Sequence, residues 1–361
     1  MKPIRVLHVT AGMDRAGLET FIMNVYRNIN REKVQFDFLL RVQKRCDYED
    51  EIEGLGGNVY RTYPKSSNIF KSVHKTAEFF RCHKQYKAVH IHTDTALSVL
   101  DAAIARCFSK ASVIVHSHNI SSRARWITLL LRPQLKYFTN YRFACSNEAG
   151  KWLFGNGTST IINNGIDTQS FSYIPDKANK IKKEFNLEDK FVVGHVGRFS
   201  HQKNHRFLLK IFKQIKQREP NSVLVLVGRG ELEKYVMEDV HLLGLGDSVR
   251  FLGVRSDINE IMLMFDVFLF PSLFEGLAVA AIEAQASGLK CFFSDTVSTE
   301  VKITDLVEFI PLTQSPAYWA AQILKHKDDF VRKDRYAEIV QNKFDIKENA
   351  KWLEEFYLNK C

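Results

Sequence analysis

Two carboxylates, Glu275 and Glu283, stand eight residues apart in the stretch FEGLAVAAIEAQASG, residues 274–288. Ionised carboxylates accept paired hydrogen bonds, so sugar hydroxyls suit them. An apolar run, Val267–Phe270, and a turn at Pro271 and Ser272 come just before. Gly276 is expected to open a helix running to about Ser287, with Gly288 as its terminator. A helix start offers free N–H groups and the positive end of a dipole, a seat for phosphate. Eight residues of helix rise roughly 12 Å, so the two carboxylates would reach opposite parts of an extended ligand. The plainer alternative is that Glu275 caps the helix and Glu283 is solvated.

A second group of residues lies in GRFSHQKNH, residues 197–205. Arg198 and Lys203 follow a buried strand, and Gly197 permits close backbone approach. Two fixed cations there can neutralise a diphosphate leaving group, or they are simply surface charges on a loop. A third is the histidine pattern: His90 and His92 in VHIHTD, His116 and His118 in VIVHSHN. Alternation in a strand puts each pair on one face. A metal site is not expected, because HxH alone is weak and Asp94 and Asp101 complete no compact ligand set. A histidine positioning an acceptor hydroxyl is the favoured reading, with His90 and His116 as packed core residues.

The elements that must position these groups alternate between strand and helix. Arg5–Val9 reads as a strand, AGMDRAG (11–17) as a turn, and Leu18–Ile29 as an amphipathic helix. Further strands are expected at Phe36–Leu40, Ala88–Ile91, Val113–Val115, Arg142–Cys145 and Ser159–Ile162. The pattern restarts with strands at Phe191–Val196, Ser222–Val227, Val249–Leu252, Val267–Phe270 and Cys291–Ser294. Such alternation implies parallel sheets covered on both faces. The polar stretch 173–184 and its surroundings, about 165–190, read as a linker. Domains are therefore expected at 1–170 and 171–340, followed by a terminal amphipathic helix within 341–361. Two doubly wound domains bind ligands at the carboxyl ends of their strands, in the cleft between them.

A chain of 361 residues suits two domains, and 45% hydrophobic with 25% charged residues excludes a largely disordered one. The six cysteines form no CxxC and are widely scattered, which fits a reducing cytosol. Neither a signal peptide nor a membrane-spanning run is expected. The net charge of +10 lies wholly in the first half: residues 1–170 hold 24 Lys and Arg against 14 Asp and Glu. That half can attract nucleic acid, anionic lipid or a phosphorylated substrate, or merely confer solubility.

The ordered motifs RVLHVTAGMDRAGLE, VHIHTD, VHSHN, FACSNEAG, INNGID, GHVGRFSHQKNH, VLVLVGRGE, VRFLGVRSDI and FPSLFEGLAVAAIEAQASG resemble glycosyltransferase family 4 over about residues 4–305. AGLETFIMNVYRNI and VQFDFLL resemble its bacterial exopolysaccharide and capsular branch. The resemblance implies the GT-B fold: two Rossmann-like α/β domains facing a cleft, with the terminal helix returning to the N-terminal, acceptor-binding domain. It implies a retaining transferase that moves a hexose or N-acetylhexosamine from a nucleotide sugar, with uridine as the base, to a hydroxyl of a lipid-linked saccharide. Arg198 and Lys203 match the pair that binds the donor diphosphate. Glu283 matches the ribose-binding glutamate, and Glu275 the one against the donor sugar. The backbone of Gly276, Leu277 and Ala278 should meet sugar and phosphate. Val254 and Arg255 fall where the nucleobase is clasped, Gly17 where a loop approaches the phosphates, and His118 at the acceptor site. AGLE stands where GGxE is usual, and Lys290 where proline is common.

The same resemblance implies no metal requirement, and no DxD motif is evident. Segment 121–143 mixes Arg123, Arg125, Arg132, Lys136 and Arg142 with Trp126, Tyr137, Phe138 and leucines. Such a mix can rest on an anionic membrane surface, or pack its leucines on the sheet with its cations in water. The expected location is cytoplasmic, peripheral to the inner face of the membrane. The rival readings are a sugar-nucleotide epimerase, an NAD-dependent oxidoreductase and a basic nucleic-acid-binding protein. Gly228-Arg229-Gly230 is only a truncated dinucleotide fingerprint, and no nucleic-acid-binding signature is present.

Overall fold

A computed structural model describes residues 2–361 except Ser66, Asp94, Ser121, Arg123, Ala124 and Gly276. The chain divides into two units, Met1–Ile166 with Asp345–Cys361, and Asp167–Phe344.

The first unit carries seven parallel strands: β1 (Ile4–Thr10), β2 (Val34–Leu40), β3 (Val59–Arg61), β4 (Tyr86–Thr93), β5 (Ser112–Ser117), β6 (Tyr141–Ala144) and β7 (Thr160–Ile161). Their order is β3-β2-β1-β4-β5-β6-β7, so the sheet reverses direction of growth between β1 and β4. Helices cover the strands, and β2 is buried along its whole length. It still carries Asp37, whose carboxylate is satisfied by Arg5, the Tyr86 hydroxyl and the Asn58 amide. The terminal helix, Ile346–Lys360, starts where the Asp345 side chain accepts from the amides of Lys347 and Glu348. It buries Ile346, Ala350, Leu353 and Tyr357 in the core beneath β1 and β2. Ile346 and Leu353 each contribute about 1.5–3 kcal/mol by this burial.

The second unit carries six parallel strands: β8 (Phe191–Val196), β9 (Ser222–Val227), β10 (Val249–Phe251), β11 (Val267–Phe270), β12 (Lys290–Ser294) and β13 (Val307–Ile310). The order β10-β9-β8-β11-β12-β13 reverses between β8 and β11. Both units are thus Rossmann-like, with near-continuous apolar strands as parallel sheets require.

Two expectations are corrected. The stretch read as a linker contains a helix, Pro175–Glu184, which buries Ala178 and Ile181. Its Lys182 ammonium holds both oxygens of Asp266. The helix after β11 begins at Val279, not at residue 276, and ends at Ala286.

Candidate functional site

The second unit gathers four loops at the carboxyl ends of β8, β9, β10 and β11, around its point of reversal. Gly228, after β9, adopts a φ of +136°, and a Cβ there would lie 2.2 Å from the Gly197 carbonyl oxygen. Only glycine permits both the conformation and the approach. The Gly228 amide donates to the Gly253 carbonyl at 2.8 Å, which draws the Val254–Arg255 loop alongside. Leu273 N–H donates to Gln202 O, the Gln202 side chain to Phe274 O, and the Asn204 side chain to Pro271 O. Residues 197–204 are therefore stitched both to the β9 loop and to the segment that carries Glu275.

Within this frame Lys203 and Glu275 meet. Lys203 Nζ lies 2.6 Å from Glu275 Oε1, with side chains only 15% and 9% exposed. The ammonium also sits 4.3 Å from the centre of the Phe270 ring. A largely desolvated ion pair of this kind is costly to maintain without further partners, which is typical of a site built for a ligand. Arg198 is not part of the pair: it is 73% exposed and bridges to Glu231. Arg255 engages Asp257 through two hydrogen bonds, and Val254 is exposed.

Glu275 and Glu283 do not share one helix. Glu275 forms a bridge with Val297, and Ala278 is extended, so the expected 12 Å helical rise between the carboxylates does not apply. Glu283 is the fifth residue of helix Val279–Ala286 and half-buried. Its carboxyl is pushed up to about 7 by desolvation alone, so neither glutamate is simply a cap or a solvated charge. Ala278 is buried and Leu277 half-buried at the helix start; Gly276 lies outside the described residues.

The first unit gathers a different set. His8 on β1, His90 and His92 on β4, His116 on β5 and His118 just beyond it form one array of rings at that sheet's own point of reversal. His8 is in register with His90, and His92 with His116. His8 Nδ1 lies 2.9 Å from His92 Nε2, and His92 Nδ1 lies 2.9 Å from His118 Nε2. A second chain runs from the Tyr357 hydroxyl to His90 Nδ1 at 2.6 Å and from His90 Nε2 to His116 Nδ1 at 3.2 Å. Burial holds His8 and His118 down to about 3 and the other three well below the usual imidazole range. All five are neutral at physiological pH. Two triads, His8–His90–His92 and His92–His116–His118, bring their nitrogens within 4.8 Å, a convergence the sequence reading missed. Neither triad includes a carboxylate. His8 was the missed member; alternation in Arg5–Val9 next to β4 was the available signal. Gly17 is exposed at the start of helix Gly17–Asn28, with open space around it.

Two Rossmann-like units are an architecture shared with nucleotide-handling enzymes, and comparison with known proteins narrows the class. Residues 176–341 match the family described as Glycosyl transferases group 1. The chain is 36% identical over 337 residues to the putative glycosyltransferase EpsF of Bacillus subtilis (strain 168), covering 89% of this chain and 87% of that one. It is 26% identical to the Escherichia coli UDP-Gal:alpha-D-GlcNAc-diphosphoundecaprenol alpha-1,3-galactosyltransferase, over 81% of this chain and 79% of that one. It is also 26% identical to the capsular polysaccharide biosynthesis glycosyltransferase CapH of Staphylococcus aureus, over 99% of both chains. In fold it resembles Anabaena Alr3699/HepE, solved with UDP-glucose, with a TM-score of 0.74 at 19% identity over 98% and 94% of the chains. The protein is a glycosyltransferase of GT-B architecture. It belongs to the group 1 glycosyltransferases. The epimerase, oxidoreductase and nucleic-acid readings are set aside by that membership.

Proposed function

We propose that the protein is a retaining transferase that moves a hexose or N-acetylhexosamine from a UDP-sugar to a hydroxyl of a lipid-linked saccharide, in exopolysaccharide or capsule assembly. The single observation that carries the reading is the desolvated Lys203–Glu275 pair among the loops that end β8, β9 and β11. A diphosphate arriving there would take over the Lys203 ammonium and leave Glu275 facing the donor sugar. Arg198, exposed and bridged to Glu231, can swing onto the same phosphates. The start of helix Val279–Ala286, with Leu277 and Ala278, adds backbone N–H donors. Glu283 accepts from the ribose hydroxyls, Val254 and Arg255 border the base, and Gly17 and His118 of the first unit are assigned to phosphate and acceptor. The names of the E. coli and S. aureus relatives support a lipid-linked acceptor and a capsular role.

In this reading the sugar–phosphate bond breaks through an oxocarbenium-like transition state. Lys203 and Arg198 stabilise the departing diphosphate, the acceptor hydroxyl attacks the same face, and a leaving phosphate oxygen takes its proton. No metal is required, so EDTA should leave the rate unchanged. Loss of activity with EDTA and recovery with manganese would contradict this.

Attachment to the inner membrane face is part of the proposal. In helix Arg125–Phe138, Trp126, Leu130 and Tyr137 are 71%, 64% and 70% exposed, beside Arg125, Arg132 and Lys136. Among the described residues no helix is long and apolar enough to cross a membrane. Transfer of radiolabel from a panel of UDP-sugars to undecaprenyl-diphosphate-linked saccharides, with the anomeric configuration of the product read by NMR, tests the function. Label transferred with inversion, or from no UDP-sugar at all, would refute it.

A further inference from the structure

We propose that Arg41 and Lys65, at the carboxyl edge of the first unit's sheet, form a phosphate subsite that takes the diphosphate of the lipid-linked acceptor. The proposal rests on the acceptor reading made above and deepens it, since neither residue has a role there.

Arg41 directly follows β2, and Asp101 lies in the first turn of helix Ser98–Phe108, which follows β4. β1 lies between those two strands, so the Arg41–Asp101 bridge crosses the end of β1 where the sheet reverses. Crevices at such points are where doubly wound sheets bind ligands. The Arg41 N–H donates to the carbonyls of Thr10 and Ala11, which fixes its backbone against that strand end. Lys65, in the loop after β3, reaches the same Asp101 oxygen and donates to the Leu97 carbonyl at 2.8 Å.

Two cations therefore share one carboxylate. The Arg41 and Lys65 side chains are 14% and 11% exposed, and Asp101 is buried. Other cations of the same loops have a carboxylate each: Arg61 has Glu49, Lys44 has Asp14, and Arg45 has both Asp50 and Glu53. At Asp101 one positive charge is left over in a largely desolvated place, where an uncompensated charge is costly. Burial, with Arg41 adding to it, holds the Lys65 ammonium down to about 8 against the pull of Asp101.

The excess charge has donors to offer. Among the described residues the Arg41 side chain makes a single hydrogen bond, from Nη2 to Asp101. Its Nε is buried without a partner, while its Nη1 is unbonded and not enclosed. A guanidinium with most of its fork unused suits the oxygens of a phosphate. The competing role is a structural triad that ties β2 to helix Ser98–Phe108. One cation on Asp101 is enough for that, and Arg41 alone bridges the two elements, so the second cation stays unexplained.

The test uses the full-length protein with saturating UDP, so that a further diphosphate must bind outside the donor site. The probes are farnesyl diphosphate and inorganic pyrophosphate, titrated by 31P NMR. Wild type should bind farnesyl diphosphate more tightly than pyrophosphate. Arg41→Gln and Lys65→Met should each weaken that binding about tenfold or more, the value of a charge-assisted hydrogen bond. Both variants should melt close to wild type, because Asp101 keeps one cation in each. No binding by wild type, or unchanged binding in the folded variants, overturns the proposal. Tighter binding of pyrophosphate than of farnesyl diphosphate assigns the site to the free anion and overturns the lipid acceptor. A matching loss of UDP affinity in Arg41→Gln would put these cations on the donor's phosphates and overturn it too. In the activity arm, kcat/KM for a diphosphate-linked saccharide is compared with that for a neutral alkyl glycoside of the same saccharide. Arg41→Gln should lower the ratio about tenfold or more, and an equal fall for both acceptors contradicts the proposal. A wild type that binds farnesyl diphosphate and transfers no sugar would count against the transferase reading alone.

Discussion

Replacing Lys203 by alanine separates stability from catalysis. The lost ammonium leaves the Glu275 carboxylate, on a residue 8% exposed, without its partner at 2.6 Å. Because both side chains are nearly buried, solvent screens the pair little, and the orphaned charge should cost about 2–3 kcal/mol. For a unit of this size that corresponds to a fall of roughly 5–10 °C in Tm. The same change removes a stabiliser of the leaving diphosphate, which should lower kcat by about 100-fold or more. Adding Glu275→Gln to Lys203→Ala removes the orphaned charge. The double variant should therefore recover most of the Tm and none of the turnover. The assays are differential scanning calorimetry and UDP release, run on the same preparations. A folded Lys203→Ala protein with near-normal turnover would refute the assignment. A double variant that regained activity along with its Tm would show that the pair serves only stability.

Three further outcomes follow from the same geometry. Glu283 is raised from 4.5 to about 7, so folding favours its protonated form, and its stabilising contribution is full below 4.5 and lost as pH rises through about 7. Ribose hydroxyls favour the carboxylate, so UDP binding below about pH 7 should release a proton; calorimetry in buffers of different ionisation heat measures this, and Glu283→Gln should abolish it. Gly228→Ala forces a Cβ to within 2.2 Å of the Gly197 carbonyl and should displace the loop that carries Arg198, weakening UDP binding in thermal-shift titrations by about tenfold or more; unchanged affinity would show that this loop is not part of the donor site. Anionic vesicles should sediment the protein at low salt and less at high salt, and Trp126→Ser with Leu130→Ser should weaken that binding; failure to bind under either condition removes the membrane from the account.

The sequence revealed the architecture because parallel sheets write themselves as apolar runs. Ser222–Val227 and Phe191–Val196 are continuous apolar strands, and their bounds match β9 and β8. Two of the four edge strands were not expected, β3 of three residues and β13 of four, whereas the equally short edges β7 and β10 were. Helix Pro175–Glu184 was hidden by its lysines, since only Ala178 and Ile181 face inward. The start of the helix after β11 was misplaced because the extended segment at Glu275 and Ala278 is fixed by a bridge to Val297, a contact that no local pattern encodes. The meeting of Lys203 with Glu275 joins residues 72 apart and was legible only through resemblance. The histidine array was half visible in the two HxH pairs, while His8 and Tyr357 joined it through strand order and the returning helix.

The central claim is that the second unit grips the donor's diphosphate with Lys203. A crystal structure with a UDP-sugar bound measures it directly. The account predicts phosphate oxygens within hydrogen-bond distance of Lys203 Nζ, with Arg198 released from Glu231 and the ribose on Glu283. Phosphates bound elsewhere, with the Lys203–Glu275 pair still closed at 2.6 Å, would contradict it.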